Sequence, residues 1–461
     1  MNGENMKIQA PVTKNETVEV TIEDLTYQGM GVAKVEDFPI FIAEALPGEQ
    51  VIVKITKVQK SFSFGRVEKW LTESKDRVKT GDQKLTQTGI APLQHLSYEA
   101  QLKFKHDQIQ NLLNKTSLNI DVLPTIGMDN PTHYRNKAQV PVRMVKGQLQ
   151  TGFYRQHSHE LVPIEDYYIQ DPKIDEAIVV VRDLMRKYHI EPFNEINHTG
   201  VVRNIMVRRG HYSNEMMIGF VTRTQKLPMA DELVKEITAQ LPEVTSIVQN
   251  INQAKTNVIM GKINKVLFGK ETISDDLLGL TFVISPNSFY QVNPVQTEKL
   301  YKLAIEQVGL SGKETVIDAY CGIGTISLAM AEHAKSVYGV EIVADAIEDA
   351  KVNAQKNHIN NVHFEVGKAE EKMGEWQEAG LEPDVIVVDP PRKGLTNSLI
   401  ESAAKMQPKK VVYVSCNPAT LVRDIELFAE QGYTVKQPIQ PVDQFPQTTH
   451  VESVTVLERK K

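Results

Sequence analysis

The sequence predicts an α/β protein. A C-terminal Rossmann-like, doubly wound sheet follows an N-terminal OB-like β-barrel and a central region of mixed α+β structure. Three observations predict this. From Leu310 onward, apolar runs of strand length alternate with amphipathic helical stretches across short links, the pattern of a parallel sheet with crossover helices. Residues 15–72 instead hold short strands punctuated by glycine-rich turns, as a small closed barrel would. The 461 residues also exceed one ordinary core, so two or three domains are expected. The divisions read as a tail 1–14, a barrel 15–73, a central domain 74–280 and a doubly wound domain 281–461.

In the barrel, Val18 to Ile22 alternates, Gln28-Gly29-Met30-Gly31 turns, and Ile40-Phe41-Ile42 precedes the turn Leu46-Pro47-Gly48-Glu49. Gln50 to Lys57 and Ser63 to Leu71 complete it. Barrels of this kind bind single-stranded nucleic acid through basic and aromatic side chains, and Ser61-Phe62-Ser63-Phe64-Gly65-Arg66 supplies both. Residues 98–118 read as one amphipathic helix with Leu102, Ile109, Leu112 and Leu113 on its apolar positions, suited to packing on the doubly wound domain. The central region offers strands near Lys137 to Arg143 and Glu215 to Thr222, and a helix near Asp231 to Gln240. The C-terminal series then runs strand Thr315 to Tyr320, helix Thr325 to Ala334, strand Ser336 to Val340, helix Ala344 to Asn357 and strand Val362 to Val366. Strands Asp384 to Val388 and Val411 to Ser415 continue it.

Composition narrows the class. The chain is 41% hydrophobic and 24% charged, within the range of globular proteins. It has no run of eighteen apolar residues, so no membrane span or membrane partner is expected. The start, Met1 to Met6, is polar and unlike a signal peptide, and with only two cysteines the expected compartment is the cytoplasm. Net charge is −6, yet Val51 to Thr80 carries eight Lys/Arg against three acids, and Pro131 to His157 carries five and no acid. A basic front on an acidic body suits a polyanionic partner, and equally fits ordinary solvated surfaces.

Asp318-Ala319-Tyr320-Cys321-Gly322-Ile323-Gly324-Thr325 joins the first strand of the doubly wound domain to its helix. Glycines there let the backbone approach a ligand. Glu341 closes the next strand, twenty-three residues after Asp318, where an acid can bind ribose hydroxyls. Such turns serve NAD as well. The third glycine of the dinucleotide fingerprint is missing, which favours a nucleoside cofactor without a pyrophosphate, such as S-adenosylmethionine. Asp389-Pro390-Pro391-Arg392 follows another apolar strand, and its prolines fix a rigid loop that aims the acid into the cleft. Val411 to Ser415 ends in Cys416 and a turn, which places a thiol at the strands' carboxyl edge.

Ser288-Phe289-Tyr290-Gln291-Val292-Asn293, Asp318 to Thr325, Asp389 to Arg392, Ser415 to Pro418 and His450-Val451-Glu452 occur in the order of the RNA uracil-5-methyltransferase family. The chain resembles the 23S ribosomal RNA type along essentially its whole length, and its barrel resembles the TRAM domain of those members. The resemblance implies a class I S-adenosylmethionine-dependent methyltransferase domain and a central RNA-binding domain. It implies a 23S rRNA substrate, a flipped uridine in a loop or stem-loop, no DNA partner, and a monomer. Gln291, Tyr320, Glu341 and Asp389 would contact the cofactor, Cys416 would be the nucleophile and Glu452 the general base. Asp389 would also orient the uracil edge. Thr325 stands where some relatives have asparagine. Many relatives hold an iron–sulfur cluster through cysteines ahead of a segment that is here Leu93 to Tyr98; Thr88 to Pro92 has none, so no cluster and no metal are expected.

The implied chemistry explains the residue types. Carbon 5 of uracil is too weak a nucleophile to take a methyl group directly. A thiolate adding at carbon 6 makes carbon 5 electron-rich, and a base must then remove its proton. The thiol is therefore expected to have a lowered pKa, with Arg392 the candidate cause. Tyr134-Arg135-Asn136-Lys137 is a candidate phosphate contact, and Cys321 is expected to be structural. Competing readings are a transfer RNA substrate, an amino-methyltransferase, which needs no cysteine, and an RNA-binding factor without catalysis.

Overall fold

The computed structural model describes residues 10–460. Residues 1–9, most of the expected tail and the polar start among them, lie outside the described residues. The chain divides into two compact units, residues 1–104 with 447–449, and residues 105–446 with 450–461.

In the first unit six strands form one sheet, in the order Thr17–Thr21, Gln50–Val58, Ser63–Thr72, Phe38–Ala43, Gly31–Val35, Asp24–Leu25. All neighbours are antiparallel except Phe38–Ala43 with Ser63–Thr72. Three register shifts between Gln50–Val58 and Ser63–Thr72 supply the local twist a strongly curved sheet needs. Ile22, Ile40, Ile42, Val51, Val53 and Ile55 fill its core. Gly65 is required there, because a Cβ would lie 2.3 Å from Val53 Cγ1. Glu49 is fully buried and accepts from Arg77 Nε at 2.5 Å, Trp70 Nε1 at 3.1 Å and Ser74 N at 3.2 Å, so its charge is matched. In and just ahead of the Leu93–Tyr98 segment the chain buries Leu85, Ala91, Leu93 and Leu96, and Gln101 Nε2 donates to the carbonyls of Leu93 and Leu96.

The expected helix 98–118 is shorter, Tyr98–Leu113. Asn114, Lys115 and Thr116 end it, and Thr116 Oγ1 takes up the Leu113 carbonyl at 2.7 Å. Ile109 and Leu113 share a core with Ile317, Ala319, Val340 and Tyr413 in the second unit.

That unit holds a seven-stranded sheet in the order Ile263–Gly269, Val244–Ile251, Met216–Thr222, Val202–Arg209, Lys137–Val145, Gln148–Tyr154, Leu161–Pro163, with helices Pro172–Lys187 and Ala230–Gln240. A hairpin, Ile273–Leu277 with Leu280–Ile284, and the helix Pro294–Val308 lead to an eight-stranded sheet. Its order is Val362–Val366, Ser336–Glu341, Thr315–Asp318, Val385–Val388, Lys410–Ser415, Glu452–Arg459, Tyr433–Val435, with Gln440–Val442 also on Glu452–Arg459. The first five are parallel, and the buried run Val385–Val388 is what a strand covered on both faces requires. Chain order reverses between Thr315–Asp318 and Val385–Val388, the switch point where ligands enter such sheets. Among the described residues no helix is long and apolar enough to cross a membrane.

Candidate active site

Both sides of the switch point end in an acid. Asp318 pairs with Val387 across the ladder, so Asp389 emerges two residues further along the neighbouring strand. Asp318 is buried and accepts from Ser327 Oγ at 2.5 Å and Tyr320 N at 3.3 Å. Burial pushes its pKa up to about 6 against those hydrogen bonds. Asp389 is pushed up to about 7 by burial and by the Asp318 charge.

The last rung of the antiparallel pair Lys410–Ser415 and Glu452–Arg459 joins Ser415 to Ser453, which sets Cys416 opposite Glu452. Nucleophile and base candidates thus meet by strand register. Glu452 is buried, and burial with the Asp389 charge holds its carboxyl well above the carboxylate range, opposed by Arg392. Cys416 is half-buried, with Sγ 3.9 Å from the Pro390 carbonyl. Burial, Glu452 and Asp389 push the thiol up to about 12, and Arg392 opposes them. This corrects the expectation of a lowered thiol pKa: two neighbouring carboxyls and desolvation outweigh one guanidinium. The Asp389-Pro390-Pro391-Arg392 loop is tied down at its end, where Asn417 Nδ2 donates to the Arg392 carbonyl at 2.9 Å. Arg392 Nη2 lies 3.2 Å from His450 Nε2, a contact that calls for a neutral ring accepting from the guanidinium. Desolvation and the Arg392 charge lower the His450 pKa, which favours that neutral form.

On the cofactor side, Gly322 has φ 53° and open space where a Cβ would stand, so its backbone borders the cleft. Tyr320 is half-buried, and Glu341 Oε1 accepts from Val343 N at 3.0 Å. Ile342 and Val343 directly after it are 65% and 51% exposed. An apolar ledge beside a carboxylate and a bare glycine backbone fits a nucleoside with its ribose hydroxyls on Glu341. Gln291 is placed by Asn136, whose Nδ2 donates to the Gln291 carbonyl at 3.1 Å and whose N–H donates to Val292 at 3.0 Å. Its side chain reaches the buried hydroxyl of Tyr301, which also lies 3.2 Å from Thr325 Oγ1 and feels Asp389 and Asp318. Thr325 therefore joins the site through Tyr301.

Tyr301 escaped the sequence reading because an apolar-face tyrosine inside a helix looks like core. Phe289 did so too; it is 70% exposed between buried Ser288 and Tyr290, an aromatic face offered to solvent two residues from Gln291. The Tyr134 to Lys137 segment alternates buried and part-exposed residues. Tyr134 and Asn136 are buried, the former donating to the Pro446 carbonyl at 3.0 Å, and Arg135 and Lys137 are half-buried. Asn136 braces Gln291, and the part-exposed Arg135 and Lys137 flank it. Cys321 is buried in the glycine turn. Among the described residues no group of three His, Cys, Asp or Glu is placed to hold a metal.

Residues 97–460 match the family model described as tRNA (Uracil-5-)-methyltransferase, and residues 11–67 match the TRAM domain. The chain is 64% identical over 457 residues to an uncharacterized RNA methyltransferase of Lactiplantibacillus plantarum, covering 99% of this chain and 100% of the relative. It is 53% identical to another of Enterococcus faecalis, over 97% and 98% of the two chains. Its structure is similar to that of the Pyrococcus abyssi tRNA (uracil-54, C5)-methyltransferase in complex with S-adenosyl-L-homocysteine. The TM-score is 0.77 at 28% identity, covering 95% of this chain and 99% of that one.

Proposed function

Because the chain belongs to the tRNA (uracil-5-)-methyltransferase family and uses S-adenosylmethionine on RNA, we propose that it methylates carbon 5 of specific uridines in 23S ribosomal RNA, as a monomer, through a covalent Cys416–uracil adduct. The observation that carries the mechanism is the register that sets Cys416 against Glu452, with Asp389 and Arg392 close enough to shift both groups.

The target base leaves its stack to reach this cleft. Phe289 offers a face on which the extruded ring stacks, and Asp389 and Gln291 orient its polar edge. The Cys416 thiol loses its proton to the Asp389 carboxylate, which leaves Glu452 free as the later base, and Sγ bonds to carbon 6. The ring's carbon 5–carbon 6 pair of electrons moves toward the carbon 4 carbonyl, which leaves carbon 5 nucleophilic. S-adenosylmethionine, when bound, would be held by Gln291, Tyr320, Glu341 and Asp389 and would supply an electrophilic methyl group to that carbon, its sulfur–methyl bond breaking to leave the neutral thioether. Glu452, as carboxylate, removes the carbon 5 proton; the double bond re-forms and the carbon 6–sulfur bond breaks. The thiolate is regenerated.

Transfer RNA is the second reading. The Pyrococcus relative, a tRNA enzyme by name, aligns over 95% of this chain, a span that takes in much of the barrel, so the barrel does not distinguish the two substrates.

A 5-fluorouridine-containing RNA tests the mechanism, since fluorine at carbon 5 cannot be removed as a proton. Incubated with the protein and S-adenosylmethionine, it is expected to form a denaturation-resistant adduct on the Cys416 peptide, and none with Cys416→Ala. Methyl transfer by Cys416→Ala at the parent rate would overturn the covalent route.

A further inference from the structure

The proposed chemistry leaves one basic and apolar surface of the second unit unused. Residues 253–270 carry Lys255, Lys262, Lys265 and Lys270 and no Asp or Glu. All four lysines are exposed. Lys270 stands 4.0 Å from Glu215; no carboxylate pairs with the other three among the described residues. The strand Ile263–Gly269 is the outermost of the seven-stranded sheet, laddered only to Val244–Ile251. Lysines on an outer strand ordinarily repel a second strand. Here they are interleaved with apolar side chains that do the opposite: Val258 is 62% exposed, Ile263 57%, Val266 42% and Phe268 38%. Cations alternating with an aromatic and branched aliphatics match the phosphates and base faces of an unpaired RNA strand.

The loop before this strand is hydrogen-bonded to the segment that carries Phe289. Asn287 Nδ2 and Asn250 Nδ2 both donate to the Gly261 carbonyl at 2.9 Å, and Gly261 N donates to Asn250 Oδ1 at 2.6 Å. Those bonds fix the start of the strand to the segment that ends, two residues on, in the exposed Phe289. We propose that the strand Ile263–Gly269 and the loop before it bind the RNA flanking the target uridine. The lysines take its phosphates, and Phe268 with its apolar neighbours takes its bases. The proposal rests on the RNA methyltransferase reading and names where that RNA leaves the cleft.

The test uses the full chain and the variant Lys255→Gln/Lys262→Gln/Lys265→Gln. Binding to an unmodified 23S rRNA transcript is measured over a range of KCl, alongside S-adenosylmethionine affinity. The triple variant is expected to bind S-adenosylmethionine like the parent and to bind the transcript at least about tenfold more weakly at low salt. Its slope of log affinity on log salt should fall by about 2, since each phosphate contact with single-stranded nucleic acid contributes about 0.7. Phe268→Ser should weaken RNA binding and keep the parent slope. Unchanged affinity and slope in the triple variant would overturn the proposal. So would a parent that self-associates where the variant does not, with equal RNA binding, which would assign the strand to a second copy. A parent that binds S-adenosylmethionine but no transcript, ribosomal or transfer, would instead remove the RNA reading beneath it.

Discussion

Cys416 is held un-ionised in the ligand-free protein, which is the opposite of a resting thiolate. Its proton is retained because burial and two carboxyl neighbours disfavour a negative sulfur more than Arg392 and a backbone hydrogen bond favour one. Such a thiol resists oxidation and alkylation until a substrate changes its surroundings. Alkylation of the Cys416 peptide by iodoacetamide in the ligand-free protein should therefore be slow at neutral pH. It should rise roughly tenfold per pH unit, with no plateau before about pH 10, as a thiolate-limited reaction does. Arg392→Gln removes the one lowering charge, so its rate at any given pH should be several-fold lower still. A plateau below pH 8 would show an ionised thiol. The residues themselves were legible: Cys416 stands out where an apolar run meets Asn417-Pro418, and Glu452 follows His450-Val451. The thiol's protonation was not, because it depends on which acids the fold brings beside it, and Asp389 is 27 positions away in the chain.

The ends of the central strands collect acids that the fold holds against their preference. Asp318 at about 6, Asp389 at about 7 and Glu452 well above the carboxylate range all bind protons more tightly folded than unfolded. From the unfolded carboxyl range near pH 4 upward, the native state carries the extra protons, so stability falls as pH rises; the shares of Asp318 and Asp389 are complete by about pH 7, and Glu452 carries the fall further. Asp389→Asn removes an unfavourable buried charge. It should raise the apo-protein's melting temperature at pH 8 by at least about 1 °C, the scale of a ~1 kcal/mol change in a chain of this length, while methyl transfer is lost. At pH 5, where Asp389 is already neutral, the gain should vanish; an equal gain at both values would point to packing instead. The parallel strands behind these acids could be read directly, since Thr315–Asp318 and Val385–Val388 are short apolar runs beside glycine or proline turns. Ile263–Gly269 could not. A register shift between Ile247 and Val248 of its partner breaks its alternation, and no local pattern says which strand of a sheet is outermost. The helix ending at Leu113 was overextended for a related reason: Leu118 keeps the apolar spacing after side-chain hydrogen bonds have already closed the helix.

Over the whole molecule, the net charge of −6 conceals where RNA would be met. In the first unit Phe41, Phe62 and Phe64 cluster with ring centroids 5.4 to 6.1 Å apart, beside the exposed Arg66. In the second, Lys255, Lys262 and Lys265 stand by the exposed apolar strand, and Phe289 marks the cleft. Basic and aromatic groups thus occur on each unit, as an RNA partner requires, and the choice between ribosomal and transfer RNA rests on the RNA itself. The consequence is open to measurement. Mapping 5-methyluridine in 23S and transfer RNA from a strain lacking this protein should show the mark lost at one or more 23S uridines and retained in transfer RNA. The parent sequence supplied in trans should restore it. Cys416→Ala should not restore it, although the RNA-binding groups are intact. Loss confined to transfer RNA would refute the ribosomal substrate and leave the proposed chemistry standing, because in that proposal Cys416, Glu452 and Asp389 act on the uracil alone, whichever RNA presents it.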